Sequence, residues 1–392
     1  MSEQTASQTT YQRRLDDRVT ALTAAPDATV ADVIRNARGA FPTIVYDRLR
    51  ERGVADTLPT GTLESDGETD AVHTPELHPL DYEWYFTAEA TTAVADSLRE
   101  GGEPILCLGA PTVAVRLARR GVPVTLVDRS GRVEKRFATD LESLRFVRGD
   151  VHEPLDLEST FSVAFFDPPW YPEHTEAWLY RACQHVRPGG RVQFVLFPPL
   201  VRPSAAEQRR DLLETARRVG TVSVDEDAVA YRTPAFERRV LRDSDVPVVS
   251  AWRRADLASV DVADGSALSE PPTVASDGDW QTFVAEGQVV KLREDVTGDP
   301  EAVLAPIEGC EGYVLPSVSR RDARRQNVDL WTSRNRVAKV GNRAAVAEGL
   351  RLLETGATLS ELSETEFITG LSAERKQHLV AQLDAILESQ SD

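Results

Sequence analysis

Five short apolar runs, each set off by stretches with helical spacing, restrict this chain more than any other feature. They are ILCLG (105–109), PVTLVD (123–128), LRFVRGD (144–150), FSVAFFD (161–167) and RVQFVLF (191–197). Val, Leu and Phe occupy both alternating faces, as in strands buried between two helix layers. TVAVRLARRG and EAWLYRACQHV lie between the runs and carry apolar residues at helical spacing. This alternation predicts an α/β fold with a doubly wound, mostly parallel sheet. VGTVSVDEDAVAYR and VPVVSAWRR read as a terminal antiparallel pair.

Three regions follow from the pattern. Residues 1–75 form an N-terminal helical segment and linker. ATVADVIRNARGA and PTIVYDRLRERGV have apolar residues on one side, with Pro42 opening the second helix and Gly53 closing it. The pair reads as a packing appendage rather than a helix-turn-helix. LPTGTLESDGETDAVHTPELHPLD is linker by its Pro, Gly and polar content. Residues 76–257 hold the strand–helix alternation, and 258–276 read as a second linker. Residues 277–392 then form a small α+β domain, with short strands in WQTFVAEGQVVKLRED and helices in NRAAVAEGLRLLETG and SAERKQHLVAQLDAILES.

Ligands of doubly wound sheets bind outside the carboxyl ends of the strands. The first run ends at Gly109-Ala110-Pro111-Thr112 and the second at Asp128, nineteen residues after Gly109. About 20 residues is the spacing at which an acid reaches a bound nucleoside's ribose. The third run ends at Gly149-Asp150, and the fourth at Asp167-Pro168-Pro169-Trp170. Arg187-Pro188-Gly189-Gly190 reads as a tight turn into the fifth. Alone, Asp128 is an ordinary cap or turn acid, and Asp150 an ordinary turn residue. Three acids at successive strand ends together read as a nucleoside-type cofactor site.

With these residues in place, 76–257 looks like a class I S-adenosylmethionine-dependent methyltransferase, Rossmann-like in architecture. Asp167-Pro168-Pro169-Trp170 resembles the D/N-P-P-F/Y/W motif of amino-group methyltransferases, above all those that make N6-methyladenine. The resemblance implies that Gly109 and Ala110 lie beside S-adenosylmethionine and that Asp128 holds its ribose. It also implies that Asp150 and Val151 address the adenine, and that Tyr85, Phe86 and Thr87 contact the methionine part. Only Gly109 stands where the family has two or three glycines, and Pro111 lacks an N–H. A similar fold and D-P-P motif occur in branched-chain polyamine synthases. Those carry a run of acids where this chain has Ala110-Pro111-Thr112.

Methyl transfer to an amine is an in-line displacement that the enzyme promotes by positioning. The Asp167 carboxylate and the Pro168 carbonyl would accept the two N–H bonds of the target nitrogen and raise its electron density. The prolines stiffen that carbonyl, and Trp170 offers a stacking face worth about 1–3 kcal/mol to a planar base. The expected activity is therefore S-adenosylmethionine-dependent N-methylation, with N6 of adenine in nucleic acid as the first acceptor. A small amine, a polyamine or a protein side chain is the alternative, by methyl or aminopropyl transfer. A catalytically inactive binding subunit is the third reading.

Composition sets the remaining bounds. Acids number 63 against 45 basic residues, for a net charge of −18, and only Lys135, Lys291, Lys339 and Lys376 are lysines. Such a surface suits a high-salt interior, where self-repulsion is screened, and so weakens the argument from charge against a nucleic-acid partner. SRRDARRQ (319–326) and TSRNR (332–336) are candidate phosphate contacts or solvated faces. Cys107, Cys183 and Cys310 are isolated, so neither a metal site nor a disulfide framework is expected. No apolar stretch approaches the roughly 18 residues of a membrane span, and MSEQTASQTTYQRRLDD has no signal-peptide core. A cytoplasmic location is the expectation.

Overall fold

The computed structural model describes residues 3–63, 78–80, 84–130, 133–134, 141–157, 160–270, 274, 280–296, 298–299, 301–308, 310, 312–315, 324, 327–364 and 372–387. They fall into two compact units: Met1–Pro75 with Trp84–Thr233 and Asp245–Val274, and Glu76–Glu83 with Pro234–Ser244 and Ala275–Asp392.

The first unit opens with helices α1 (Glu3–Thr23), α2 (Val30–Arg35) and α3 (Pro42–Glu51). It continues through α4 (Ala88–Glu100), β1 (Ile105–Leu108), α5 (Pro111–Ala118), β2 (Val124–Asp128), β3 (Leu144–Arg148) and β4 (Phe161–Phe166). Then come α6 (Pro172–His185), β5 (Val186–Leu196), α7 (Ala205–Val219), β6 (Gly220–Ala230) and β7 (Arg254–Val262). The strands form one seven-stranded sheet in the order β3-β2-β1-β4-β5-β7-β6. Only β7 runs antiparallel to its neighbours. The order reverses direction beside β1, which makes the gap between β1 and β4 the switch point where ligands of such sheets sit.

Every residue of β1 and β4 is buried, as their apolar runs require. The expectation fails for β3, whose residues are all partly or fully exposed. Its place at the sheet edge leaves Arg145 and Arg148 free to point outward, so it is half-solvated despite its apolar partners. RPGG is not a turn into the fifth strand either. Helix α6 passes directly into β5 at Val186, and Gly189, at φ 78°, lies in the irregular part of that strand. The antiparallel partner of β6 is Arg254–Val262 rather than VPVVSAWRR, so residues 258–262 of the expected linker and the boundary at 257 both fall inside a strand. Residues 64–77, 81–83, 271–273 and 275–279, which include parts of the two expected linkers, lie outside the described residues.

The N-terminal helices belong to this unit. Thr29 caps α2 by accepting from the Asp32 N–H. Gly39, at φ +87°, lies so close to Pro198 that a Cβ there would collide with its ring. The strongest tie is electrostatic. Asp256 on β7 is fully buried and accepts two hydrogen bonds from Arg38 (3.2 and 3.1 Å), one from Arg209 (2.7 Å) and one from the Asp227 N–H (2.9 Å). One carboxylate thus joins the chain after α2, helix α7 and the bulged end of β6.

The second unit contains α8 (Ala235–Asp243) and strands β8 (Trp280–Ala285), β9 (Gln288–Arg293), β10 (Leu304–Ala305), β11 (Val314–Leu315), β12 (Leu330–Thr332) and β13 (Val337–Val340). Helices α9 (Arg343–Glu354), α10 (Leu359–Glu364) and α11 (Ala373–Leu387) complete it. The strands pair antiparallel, and β8 and β9 are joined through Glu286 and Gly287, both at positive φ as a tight hairpin turn demands. Asn342 caps α9. Within TSRNR, Thr332, Ser333, Asn335 and Arg336 are buried, which corrects its reading as a phosphate-facing patch. SRRDARRQ lies outside the described residues except for Arg324. No helix among the described residues is long and apolar enough to cross a membrane.

Removing one partner of a buried ion cluster leaves the others desolvated and unpaired. Asp256→Ala should therefore destabilise the first unit by about 3–5 kcal/mol. The loss should persist at high salt, because buried pairs are poorly screened. Denaturant unfolding at low and high salt checks both statements.

Candidate active site

Strands β1, β2, β3 and β4 are parallel and in step, with Leu108 level with Val127 and Phe166, and Asp128 level with Arg148. Gly109, Asp128, Asp150 and Asp167 therefore stand at one carboxyl edge. Gly109 makes the turn from β1 into α5 at φ 58°, with its N–H on Val127 O at 2.9 Å. Ala110 is the N-cap residue of α5, and Pro111 takes the first helical position, where no N–H is needed.

Asp128 Oδ1 accepts the Ser130 N–H at 2.8 Å, which fixes the carboxylate in the loop after β2. Asp150 is held more tightly. Its Oδ1 accepts both the backbone N–H and Nδ1 of His152, each at 2.9 Å. Hydrogen bonding from His152 is the largest cause that lowers the Asp150 carboxyl to about 2. Trp178 Nε1–H donates to His152 Nε2 at 3.2 Å, so Nε2 accepts and Nδ1 carries the proton given to Asp150. His174 Nδ1 also lies 2.8 Å from Nε2. Val151 between them is buried. The Trp178 ring packs on Gly109, and a Cβ there would stand 2.7 Å from it. Glycine at 109 thus serves the approach of Trp178 as well as the turn.

The fourth strand ends in the most enclosed acid of this edge. Pro168 and Pro169 stop sheet pairing after Phe166, and Asp167 projects from the end. Its carboxylate is densely enclosed but still partly accessible, and Tyr231 donates its hydroxyl to Oδ1 at 2.7 Å. Burial pushes the Asp167 carboxyl up to about 7, against the opposing pull of the Tyr231 hydrogen bond and the Arg253 charge. The Pro169 carbonyl accepts the Tyr171 N–H at 2.7 Å, whereas no backbone N–H among the described residues bonds to that of Pro168.

Tyr231 is reached through the segment before α4. Phe86 bridges it antiparallel, Arg232 N–H bonds Tyr85 O at 2.8 Å and Thr87 N–H bonds Ala230 O at 2.9 Å. Tyr85 and Phe86 are buried. Thr87 accepts from the Ala90 N–H as the cap of α4. All three are thereby drawn to the side of Asp167.

Trp170 is largely covered. It is 8% exposed, and the Arg253 guanidinium stands 3.7 Å from its ring centroid. One face of its ring is thus covered by a side chain of the same chain. Tyr231, Arg253 and Trp84 were not found from sequence. No motif surrounds them; the one signal was that YRTP and AWRR flank the last two strands. Among the described residues no cluster of His, Cys, Asp and Glu could hold a metal ion, and the three cysteines are free.

No protein-family model matches the chain, and no curated protein matches it with significance. Solved structures do. A branched-chain polyamine synthase variant from Thermus thermophilus, in complex with N4-aminopropylspermidine and 5'-methylthioadenosine, aligns over 67% of this chain and 90% of its own. Its TM-score is 0.53 at 17% identity, which shows a shared fold. An rRNA methylase from Streptococcus thermophilus aligns over 45% of this chain and 95% of its own, at TM-score 0.30 and 14% identity. A glycopeptide N-methyltransferase bound to S-adenosyl-L-homocysteine aligns over 27% of this chain and 48% of its own, at TM-score 0.24 and 20% identity.

The Asp167 shift has a consequence for stability. The ordinary value, 3.8, describes the unfolded chain, and the folded value is about 7. The folded state therefore holds an extra proton between these limits, and stability is lost as pH rises through that window. Asp167→Asn keeps an acceptor for Tyr231 but no ionisation. Thermal unfolding should find the variant more stable than wild type at pH 8, with the advantage largely gone at pH 4.

Proposed function

We propose that the chain is an S-adenosylmethionine-dependent methyltransferase acting on an amino nitrogen. The observation that carries the reading is the Asp167 carboxylate. It is enclosed, pushed up to about 7 and held by Tyr231, at the strand edge that also presents Gly109, Asp128 and Asp150. A sheet needs no such acid there.

The residues at the edge fit the cofactor. Asp128 and Asp150, at the ends of the second and third strands, would serve as the acceptors for its ribose and adenine. Gly109 and Ala110 would lie beside it, with Tyr85, Phe86 and Thr87 at its methionine side. Bound S-adenosylmethionine supplies an electrophilic methyl on a sulfonium. Asp167 orients the acceptor N–H, and takes the proton that the nitrogen gives up as it gains its new carbon. The Pro168 carbonyl is the second acceptor of the pair. A base near 7 is half ionised at neutral pH, suited to accept a proton and release it to solvent.

The covered face of Trp170 bears on the acceptor. An adenine presenting N6 to Asp167 would have to replace Arg253 on the ring, so a small amine is favoured over a flipped base. That observation also supports a second reading, aminopropyl transfer to a polyamine from the decarboxylated cofactor. The fold shared with a branched-chain polyamine synthase is consistent with it.

Labelled transfer from S-adenosylmethionine, and separately from its decarboxylated form, tests the two readings across alkylamines, nucleic acids and total protein. Asp167→Asn should abolish turnover through kcat while S-adenosylhomocysteine still binds. Asp128→Ala should instead weaken S-adenosylhomocysteine binding by about 10- to 150-fold in calorimetry. Full turnover by Asp167→Asn would rule out the assigned chemistry.

A further inference from the structure

Beside Asp167 the first unit builds an aromatic box with a cation already inside it. The Arg253 guanidinium carbon lies 3.7 Å from the Trp170 ring centroid, 4.3 Å from that of Trp84 and 5.6 Å from that of Tyr231. The rings meet steeply, Trp84 with Tyr231 at 88° and Trp170 with Tyr231 at 73°. Three rings that turn toward one point present their negative π density there, and such a box selects positive charge. Tyr231 also donates to Asp167, so the box and the reactive carboxylate share a wall.

Arg253 enters from a coil just before β7, not from a strand. Its backbone carbonyl accepts the Tyr231 N–H at 3.0 Å, so an exchange at the box moves the side chain and not the backbone. Two residues earlier Ala251 holds φ 50°, an unusual conformation for a residue with a Cβ. The Arg253 charge also acts on the Asp167 carboxylate, so box and carboxylate address one cation.

We propose that Arg253 is a resident placeholder for the cationic group of the acceptor, and that an alkylammonium takes the Trp84–Trp170–Tyr231 box as Arg253 leaves it. The inference rests on the amino-acceptor reading and narrows its substrate class. The acceptor carries a charged aliphatic amine for the box and a second, reacting nitrogen for Asp167. A neutral planar base gains little from the exchange, since it would replace a cation on those rings with an uncharged stack. Arg253 is thereby the residue that determines specificity. It also lowers the apparent affinity of the true acceptor, because the receptive state is only part of the population.

The test is calorimetric titration of spermidine into the full chain with S-adenosylhomocysteine present, at pH 8.5. There Asp167 is mostly ionised, and alkylamines near the ordinary value of about 10.4 keep most of their charge. Arg253→Met fills similar space without charge and should bind spermidine about 10-fold more tightly than wild type, the size of one cation–π contact released. Arg253→Lys keeps a resident cation and should stay within about 2-fold of wild type. Unchanged or weaker binding in Arg253→Met would overturn the proposal, as would equal tightening in Arg253→Lys or no spermidine binding by any form. Methyl and aminopropyl transfer by wild type are measured separately. Tightening in Arg253→Met without any transfer would sink the enzymatic reading and leave the box standing, whereas transfer to an amine with spermidine binding unaffected by Arg253→Met would sink the box alone.

Discussion

A densely enclosed carboxylate at the end of a buried strand is the constraint on which the rest of the first unit turns. Asp167 can stand there only because β4 is apolar on both faces up to Phe166 and the two prolines then end its pairing. Holding the group in place requires a donor from elsewhere, and Tyr231 provides it at 2.7 Å. Tyr231 is in turn set by its bridge to Phe86, so the segment before α4 and the end of β6 meet over the same acid. The enclosure that makes the carboxylate costly to ionise is what brings it to about 7, where it can exchange protons near neutrality.

The sheet and its acids were legible because strong local signals carry them. Buried parallel strands must be apolar throughout, so ILCLG, PVTLVD and FSVAFFD announced the strands, and PVTLVD and FSVAFFD the acids at their carboxyl ends. Where a signal depends on neighbours, sequence reading failed. Nothing in LRFVRGD says that β3 is an edge strand with exposed arginines. RPGG carries the Pro and Gly of a turn yet lies within β5, as a bulge between Val186 and Arg191, the residues on either side of it that pair with β4. Trp170 follows its motif faithfully, but Arg253, more than eighty residues later in the chain, decides what its ring touches.

Electrostatics act at two depths. The surface carries most of a net charge of −18, which salt screens over about 10 Å or less. The clusters inside do not depend on that screening. Asp256 with Arg38 and Arg209 braces the N-terminal segment against the sheet, whereas the partly exposed pair of Asp150 and His152 sets the loop after β3 nearer the surface. Arginine suits the first of these because its planar fork bonds a carboxylate bidentately, as Arg38 does to Asp256. An acidic, lysine-poor exterior and an arginine-braced interior are thus compatible in one chain.

The central claim is that Asp167 works as the proton acceptor for an amino nitrogen, and the pH dependence of kcat for amine alkylation tests it most directly. The account predicts a rate that rises as the carboxyl ionises, with a single acid limb at about 7, and that reaches a plateau above it. A rate independent of pH between 5 and 9 would contradict it, as would an acid limb that survives unchanged in Asp167→Asn.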